Sequence, residues 1–173
     1  MTNEAFARAA LPHLDAAYTL ARWLVRDPAA AEDVVQDAMV RAMTYFASFR
    51  GENPRAWLLQ IVRNTAYTRL QRGRAAQEDA LDPEGLHQHL ADPGADPEVA
   101  AARAEEGSLL QRALAALPVE LREAVVLREL EEMSYRDIAR VTEVPVGTVM
   151  SRLFRARQAL MRYGKTATRE SAA

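Results

Sequence analysis

Thr148, Ser151, Arg152 and Arg155 recur at the i, i+3, i+4 and i+7 positions of a helix, so two hydroxyls and two guanidinium forks share one face. These are donor groups of the kind that meet phosphate oxygens and guanine edges on DNA. About a quarter to a third of a turn away, Val149, Leu153, Ala156 and Leu160 repeat at the spacing of a buried stripe. One side of the segment is therefore made for packing and another for an anionic partner. The residues upstream suit a brace for it. Ser134 stands three positions before Asp137, the spacing of a capping box, just ahead of Ile138 and Val141. Thr142 to Pro145 has the length of a turn between two crossing helices. The pattern predicts a helix-turn-helix whose second helix, carrying Arg152, Arg155, Arg157 and Arg162, enters the major groove. An amphipathic helix with solvated arginines has the same periodicity; the cap and the turn favour DNA reading over it.

The elements that must position this segment follow from composition. A chain of 173 residues fits one or two domains, and 49% hydrophobic residues suffice for packed cores. With no cysteine there is no disulfide, thiolate metal site or thiol switch within the chain. His13, His87 and His89 are too scattered for a metal site. Although His87 and His89 lie near Asp82, Glu84 and Asp92, that stretch reads as a solvated loop. No metal or cofactor is expected. The N-terminal residues Met1-Thr-Asn-Glu-Ala lack the features of a signal peptide, and no apolar run reaches membrane-spanning length. A cytoplasmic protein without membrane contact of its own is expected.

Residues 1–76 hold ten basic and seven acidic side chains, residues 77–107 one and nine, and residues 108–173 eleven and eight. The net charge of −2 thus conceals blocks of +3, −8 and +3. The acidic block contains Pro83, Pro93, Pro97, Gly85 and Gly94, which suit a tether and not a core. The chain reads as one domain over 1–72, a flexible acidic linker over 73–96 with a short helical turn near Leu86–Leu90, and a second domain over 97–173.

No long segment alternates apolar and polar residues, so an all-α fold is expected, with two small helical domains. The first domain predicts a helix over Glu4–Val25. A second starts at the cap-plus-proline pair Asp27-Pro28 and runs to Phe46. A third starts at Asn53-Pro54 and runs to Arg72. The second domain predicts helices over Pro97–Leu117, Val119–Glu131, Ser134–Val141 and Val146–Tyr163.

Two longer segments then carry a family likeness. Asp27-Pro-Ala-Ala-Ala-Glu-Asp-Val-Val-Gln-Asp-Ala-Met-Val-Arg-Ala42 and Phe49-Arg-Gly-Glu-Asn-Pro-Arg-Ala-Trp-Leu-Leu-Gln-Ile-Val-Arg-Asn-Thr-Ala66 resemble region two of bacterial sigma factors. Pro145-Val-Gly-Thr-Val and Ser151-Arg-Leu-Phe-Arg-Ala-Arg157 resemble region four. Two such regions in this order, with no third domain between them, are similar to the extracytoplasmic-function (ECF) group of alternative sigma factors.

The resemblance implies roles for particular residues. Asp33, Gln36, Asp37 and Arg41 correspond to the helix that docks on core RNA polymerase; their spacing puts them on one face, opposite Val34, Val35 and Ala38. The loop Phe49–Pro54 and the following helix correspond to the part that opens the promoter at its minus-ten element. There Asn64 matches the position whose amide contacts an everted base. Arg55, Arg63 and Arg69 would hold the melted strand. Trp57, beside Leu58 and Ile61, reads as core, while for Phe49 packing and base contact both stay open. In region four, Thr148, Ser151, Phe154 and Arg155 match the residues near the minus-thirty-five element, and Arg152 and Arg157 resemble phosphate contacts. Met150 departs from the lysine or arginine common at its position. Glu143 departs from the glycine common in the turn, at a cost of about 1 kcal/mol if its φ is positive.

The implied protein has no catalysis of its own. It recruits core RNA polymerase, recognises duplex promoter DNA at two elements and helps separate the strands. An anti-sigma factor is its expected regulator and, if membrane-bound, its only link to a membrane. A DNA-binding repressor or activator, and an adaptor or anti-sigma protein, remain the alternatives.

Overall fold

A computed structural model describes residues 2–79 and 108–172, with side-chain surroundings for 3–77 and 108–172. Every regular element among them is helical. The first half comprises α1 (Thr2–Ala10), α2 (Leu14–Val25), α3 (Pro28–Tyr45) and α4 (Pro54–Asp79). The second half comprises α5 (Leu109–Ala116), α6 (Val119–Val125), α7 (Tyr135–Thr142) and α8 (Val146–Ala172).

In the first half α2, α3 and α4 pack against one another, and α1 lies against α4. Their shared core is Leu20, Leu24, Val34, Ala38, Leu58, Leu59 and Val62. The expected caps are present. The Asp27 carboxylate accepts from the Ala30 N–H at 2.9 Å, and the Asn53 Oδ1 accepts from the Ala56 N–H at 3.1 Å. The expected single helix over Glu4–Val25 is instead broken by a 3₁₀ turn at Leu11–His13. Pro12 lacks an N–H and its ring crowds the preceding turn, which explains the break. The third helix does not stop at Arg72 but continues through Gly73 to Asp79. Arg72, Arg74, Ala75, Ala76 and Gln77 are strong helix formers and outweigh the roughly 1 kcal/mol that one glycine costs.

In the second half α8 packs on α5, α6 and α7, with Val149, Leu153 and Ala156 buried as their spacing predicts. α5 opens with a full capping box between Ser108 and Gln111. The helix expected over Val119–Glu131 is α6 followed by a π-helical turn at Val126–Leu130. Arg122 to Leu127 are all buried, because α6 and this turn lie between α8 and the first half. α4 also packs on α7. The two halves therefore share one continuous apolar core. The helical turn expected at Leu86–Leu90 and the start expected at Pro97 lie outside the described residues, as do His87 and His89.

Candidate polymerase and nucleic-acid interfaces

The helix-turn-helix is built from its caps inward. The Ser134 hydroxyl accepts from the Asp137 N–H at 3.1 Å and starts α7, one arm of the capping box. Ile138 and Val141 are buried and hold α7 to its neighbours. The turn residue Glu143 has φ 57° and ψ 41°, so the left-handed conformation that favours glycine is required there. On α8, Ser151, Phe154, Arg155 and Arg157 are exposed, whereas Thr148 and Arg152 are half-buried. Arg155 has no hydrogen bond or ion pair to a described residue, so its fork is free for a partner. Arg157 reaches Glu129 at 3.4 Å across exposed surface, a weak pair. The Arg152 Nη1 is buried and lacks a hydrogen-bond partner among the described residues.

Asp33, Gln36, Asp37 and Arg41 all lie exposed on α3, opposite the buried Val34 and Ala38. Sequence reasoning missed that the same face carries bare apolar side chains: Val40 is 66% exposed and Met43 52%. Their i, i+4, i+7 register with Gln36 was readable and pointed to a partner-covered helix.

The minus-ten candidates do not form one open surface. Phe49 is half-buried and lies 4.8 Å, centroid to centroid, from Trp57, with Phe46 beside both. Arg69 reaches Asp33 at 3.7 Å, which joins a strand-holding candidate to a polymerase-docking candidate. A groove of about 390 Å³ between α3 and α4 is lined by Asp37, Arg41, Thr65, Thr68, Arg69 and Arg72. Arg55 donates to the Glu131 carboxylate at 2.8 Å and to the Glu131 carbonyl. Arg63 donates through Nε to Glu123 at 3.0 Å and lies over the Tyr67 ring. Asn64 sits beside it, its Oδ1 3.5 Å from the Arg63 Nη1.

Glu123 is the residue that sequence reading did not single out. Its side chain has no solvent exposure. Burial raises the carboxyl above its ordinary value of 4.5, and the charge and hydrogen bond of Arg63 only partly oppose that. Burial also works against the Arg63 cation, but the Glu123 charge and hydrogen bond outweigh it and Arg63 is held above its usual range. Tyr67 is pushed up by burial first and by the Glu123 charge second. A glutamate followed directly by Ala124-Val-Val-Leu127 was the available signal of a charge carried into a packed layer.

Comparison with known proteins places both halves. Residues 10–76 match the model of Sigma-70 region 2, and residues 108–160 match that of Sigma-70, region 4. The chain belongs to the sigma-70 family. It is 41% identical over 144 residues to the RNA polymerase sigma-H factor of Pseudomonas aeruginosa, covering 79% of this chain and 74% of the relative. Against the ECF RNA polymerase sigma-E factor of Escherichia coli K12 the identity is 38% over 134 residues, covering 74% and 70%. A solved structure of the Bartonella quintana sigma factor RpoE in complex with the anti-sigma factor NepR aligns with a TM-score of 0.72 at 31% identity, over 94% of this chain and 98% of that one. CnrH, solved in complex with the cytosolic domain of CnrY, aligns with a TM-score of 0.66 at 26% identity, over 95% and 90%. The first half is thus region 2 and the second region 4 of a transcription initiation factor of the ECF group. No described helix is long and apolar enough to cross a membrane.

Proposed function

We propose that this sigma factor divides its work among three faces. The α3 face of Asp33, Gln36, Asp37 and Arg41, with Val40 and Met43 as its apolar centre, docks on core RNA polymerase. Phe49, Arg55, Arg63, Asn64 and Arg69 take the minus-ten element and the melted strand. Thr148, Ser151, Phe154 and Arg155 read the minus-thirty-five element, with Arg152 and Arg157 on phosphates. The observation that carries this assignment is the order and character of the exposed groups: a mixed apolar and charged helix face in region 2, and a hydroxyl-guanidinium face on α8 of region 4. Residues 73–96 join domains 1–72 and 97–173; they begin as the last turns of α4, to Asp79, and the rest runs along the polymerase as a linker. The chain contributes no catalysis and acts in the cytoplasm.

An anti-sigma factor is the proposed regulator, since a solved relative aligned over both halves was captured with one. It would cover the α3 face or α8, or wedge between the halves. The deciding experiment combines purified core polymerase with this protein and maps transcripts over genomic DNA of its source. Promoter-specific initiation by the mixture, with weak binding by the free protein, is expected. Nanomolar binding of a duplex operator by the free protein would replace this reading with that of a repressor.

A further inference from the structure

The match to region 4 ends at residue 160, yet α8 runs on to Ala172. Ser151, Arg155, Gln158, Arg162, Lys165 and Arg169 follow one another at alternating spacings of four and three, so they share one side of the helix. All six are exposed. Arg155, Arg162 and Arg169 stand seven residues apart, an interval over which a straight helix drifts by only about 20°. The cationic row of the region 4 face therefore continues into the extension without turning away. The side chains of Arg162, Lys165 and Arg169 have no hydrogen bond or ion pair to a described residue. Over its length α8 carries six basic groups and one acidic group, Glu170, a net of +5 in a chain whose total is −2.

We propose that Arg162, Lys165 and Arg169 form a phosphate-gripping rail on duplex DNA, beside the base pairs met by Ser151 and Arg155. The proposal rests on the assignment of α8 to the minus-thirty-five element and adds a site beyond it. Distance decides between base edges and phosphates. At about 1.5 Å per residue, Arg162 lies about 10 Å along the axis from Arg155, and Arg169 about 21 Å. The major groove is about 12 Å wide and winds around the duplex. A straight helix whose first turns meet base edges has therefore left the groove before Arg169 and passes over its sugar-phosphate wall. Exposed cations on long stems suit that wall, because they gain from phosphate charge whatever the base sequence. The extension thus supplies affinity for the flanking duplex, and the first turns of α8 supply the sequence preference.

The test uses holoenzyme, made from core polymerase and the full chain, on a promoter mapped with that mixture. Arg162→Ala, Lys165→Ala and Arg169→Ala combined keep a good helix former at each position. The triple variant should lower the slope of log affinity against log salt by about 2–3, since each lost phosphate contact removes about 0.9. Binding at low salt should weaken about tenfold or more, with the preference for the minus-thirty-five sequence over a scrambled one retained. Arg162→Lys with Arg169→Lys should keep the slope. Uncharged methylphosphonates in the duplex beside the element should weaken binding of the unaltered chain and add nothing to the loss in the triple variant. An unchanged slope, additive methylphosphonate losses or a lost sequence preference would each overturn the rail. Weaker binding of the triple variant to core polymerase would overturn it too, by making polymerase the partner of the extension. If Arg155→Ala alters neither affinity nor preference, the assignment of α8 to base pairs is the part at fault, and the salt slope still judges the rail.

Discussion

Replacing Arg63 with Met removes the hydrogen-bonded cation from a carboxylate that is wholly buried in the closed chain, the form in which the two halves share one core. Glu123 must then remain charged without that partner or take up a proton. Proton uptake sets a ceiling on the penalty. From the ordinary value of 4.5, neutralising the group at pH 7 costs about 3.4 kcal/mol, at about 1.36 kcal/mol per pH unit. Arg152 remains close enough to favour the charged form and keeps the penalty below that ceiling. The carboxyl lies above its solvated value in the closed chain, so the closed form binds the proton more tightly than the open one. Support for closure is then complete below about pH 4.5 and is lost as pH rises above it. The ceiling is about 0.8 kcal/mol at pH 5 and about 2 kcal/mol at pH 6. Energy transfer between dyes on cysteines introduced at Ala47 and Gln158, exposed positions in the two halves, reads the opening. Arg63→Met should lose transfer near pH 7.5 and regain it near pH 5, while Arg63→Lys loses less. An Arg63→Met chain that stays closed across this range, or that opens in acid, refutes the reasoning.

Three further outcomes test the assigned faces. Arg155→Ala should cost about 1–3 kcal/mol in closed-complex affinity, whereas Asn64→Ala should mainly slow strand opening. Permanganate footprints on a premelted template should therefore show rescue of Asn64→Ala but little of Arg155→Ala. Glu143→Gly should raise stability by about 1 kcal/mol by relieving the positive φ; a lower melting temperature would mean that the hydrogen bond from Gln60 to Glu143 outweighs the backbone strain. Val40→Asp should weaken core binding at least tenfold, about 1.4 kcal/mol, with helix content unchanged by circular dichroism. Unaltered affinity would move the docking face elsewhere.

The parts legible in the sequence were those fixed by neighbours a few positions apart. The caps at Asp27, Asn53 and Ser134 depend on one side chain and the next three residues, and the α8 stripe depends on helical spacing alone. Pro12 was equally readable as a break, yet the apolar periodicity on either side of it masked the signal. The pairing of Arg55 and Arg63 was not legible, because it depends on how α4 meets α6 and the end of the π turn, whose residues lie some sixty to eighty positions away. Only the apolar run Ala124–Leu127 that follows it sets the buried Glu123 apart from the exposed Glu120 three residues before it. The π turn at Val126–Leu130 likewise has no propensity signature, since it arises where a packed helix must shift register.

The contacts of Arg55 and Arg63 with region 4 also have an evolutionary consequence. A residue that touches only DNA, as Arg155 is placed to do, changes when the promoter changes. On the proposed assignment Arg63 answers to two partners, a nucleic-acid strand and the carboxylate at position 123. Among homologues that close in the same way, positions 63 and 123 should therefore change together and in opposite sign or not at all. Position 155 should drift with promoter sequence, without regard to position 123.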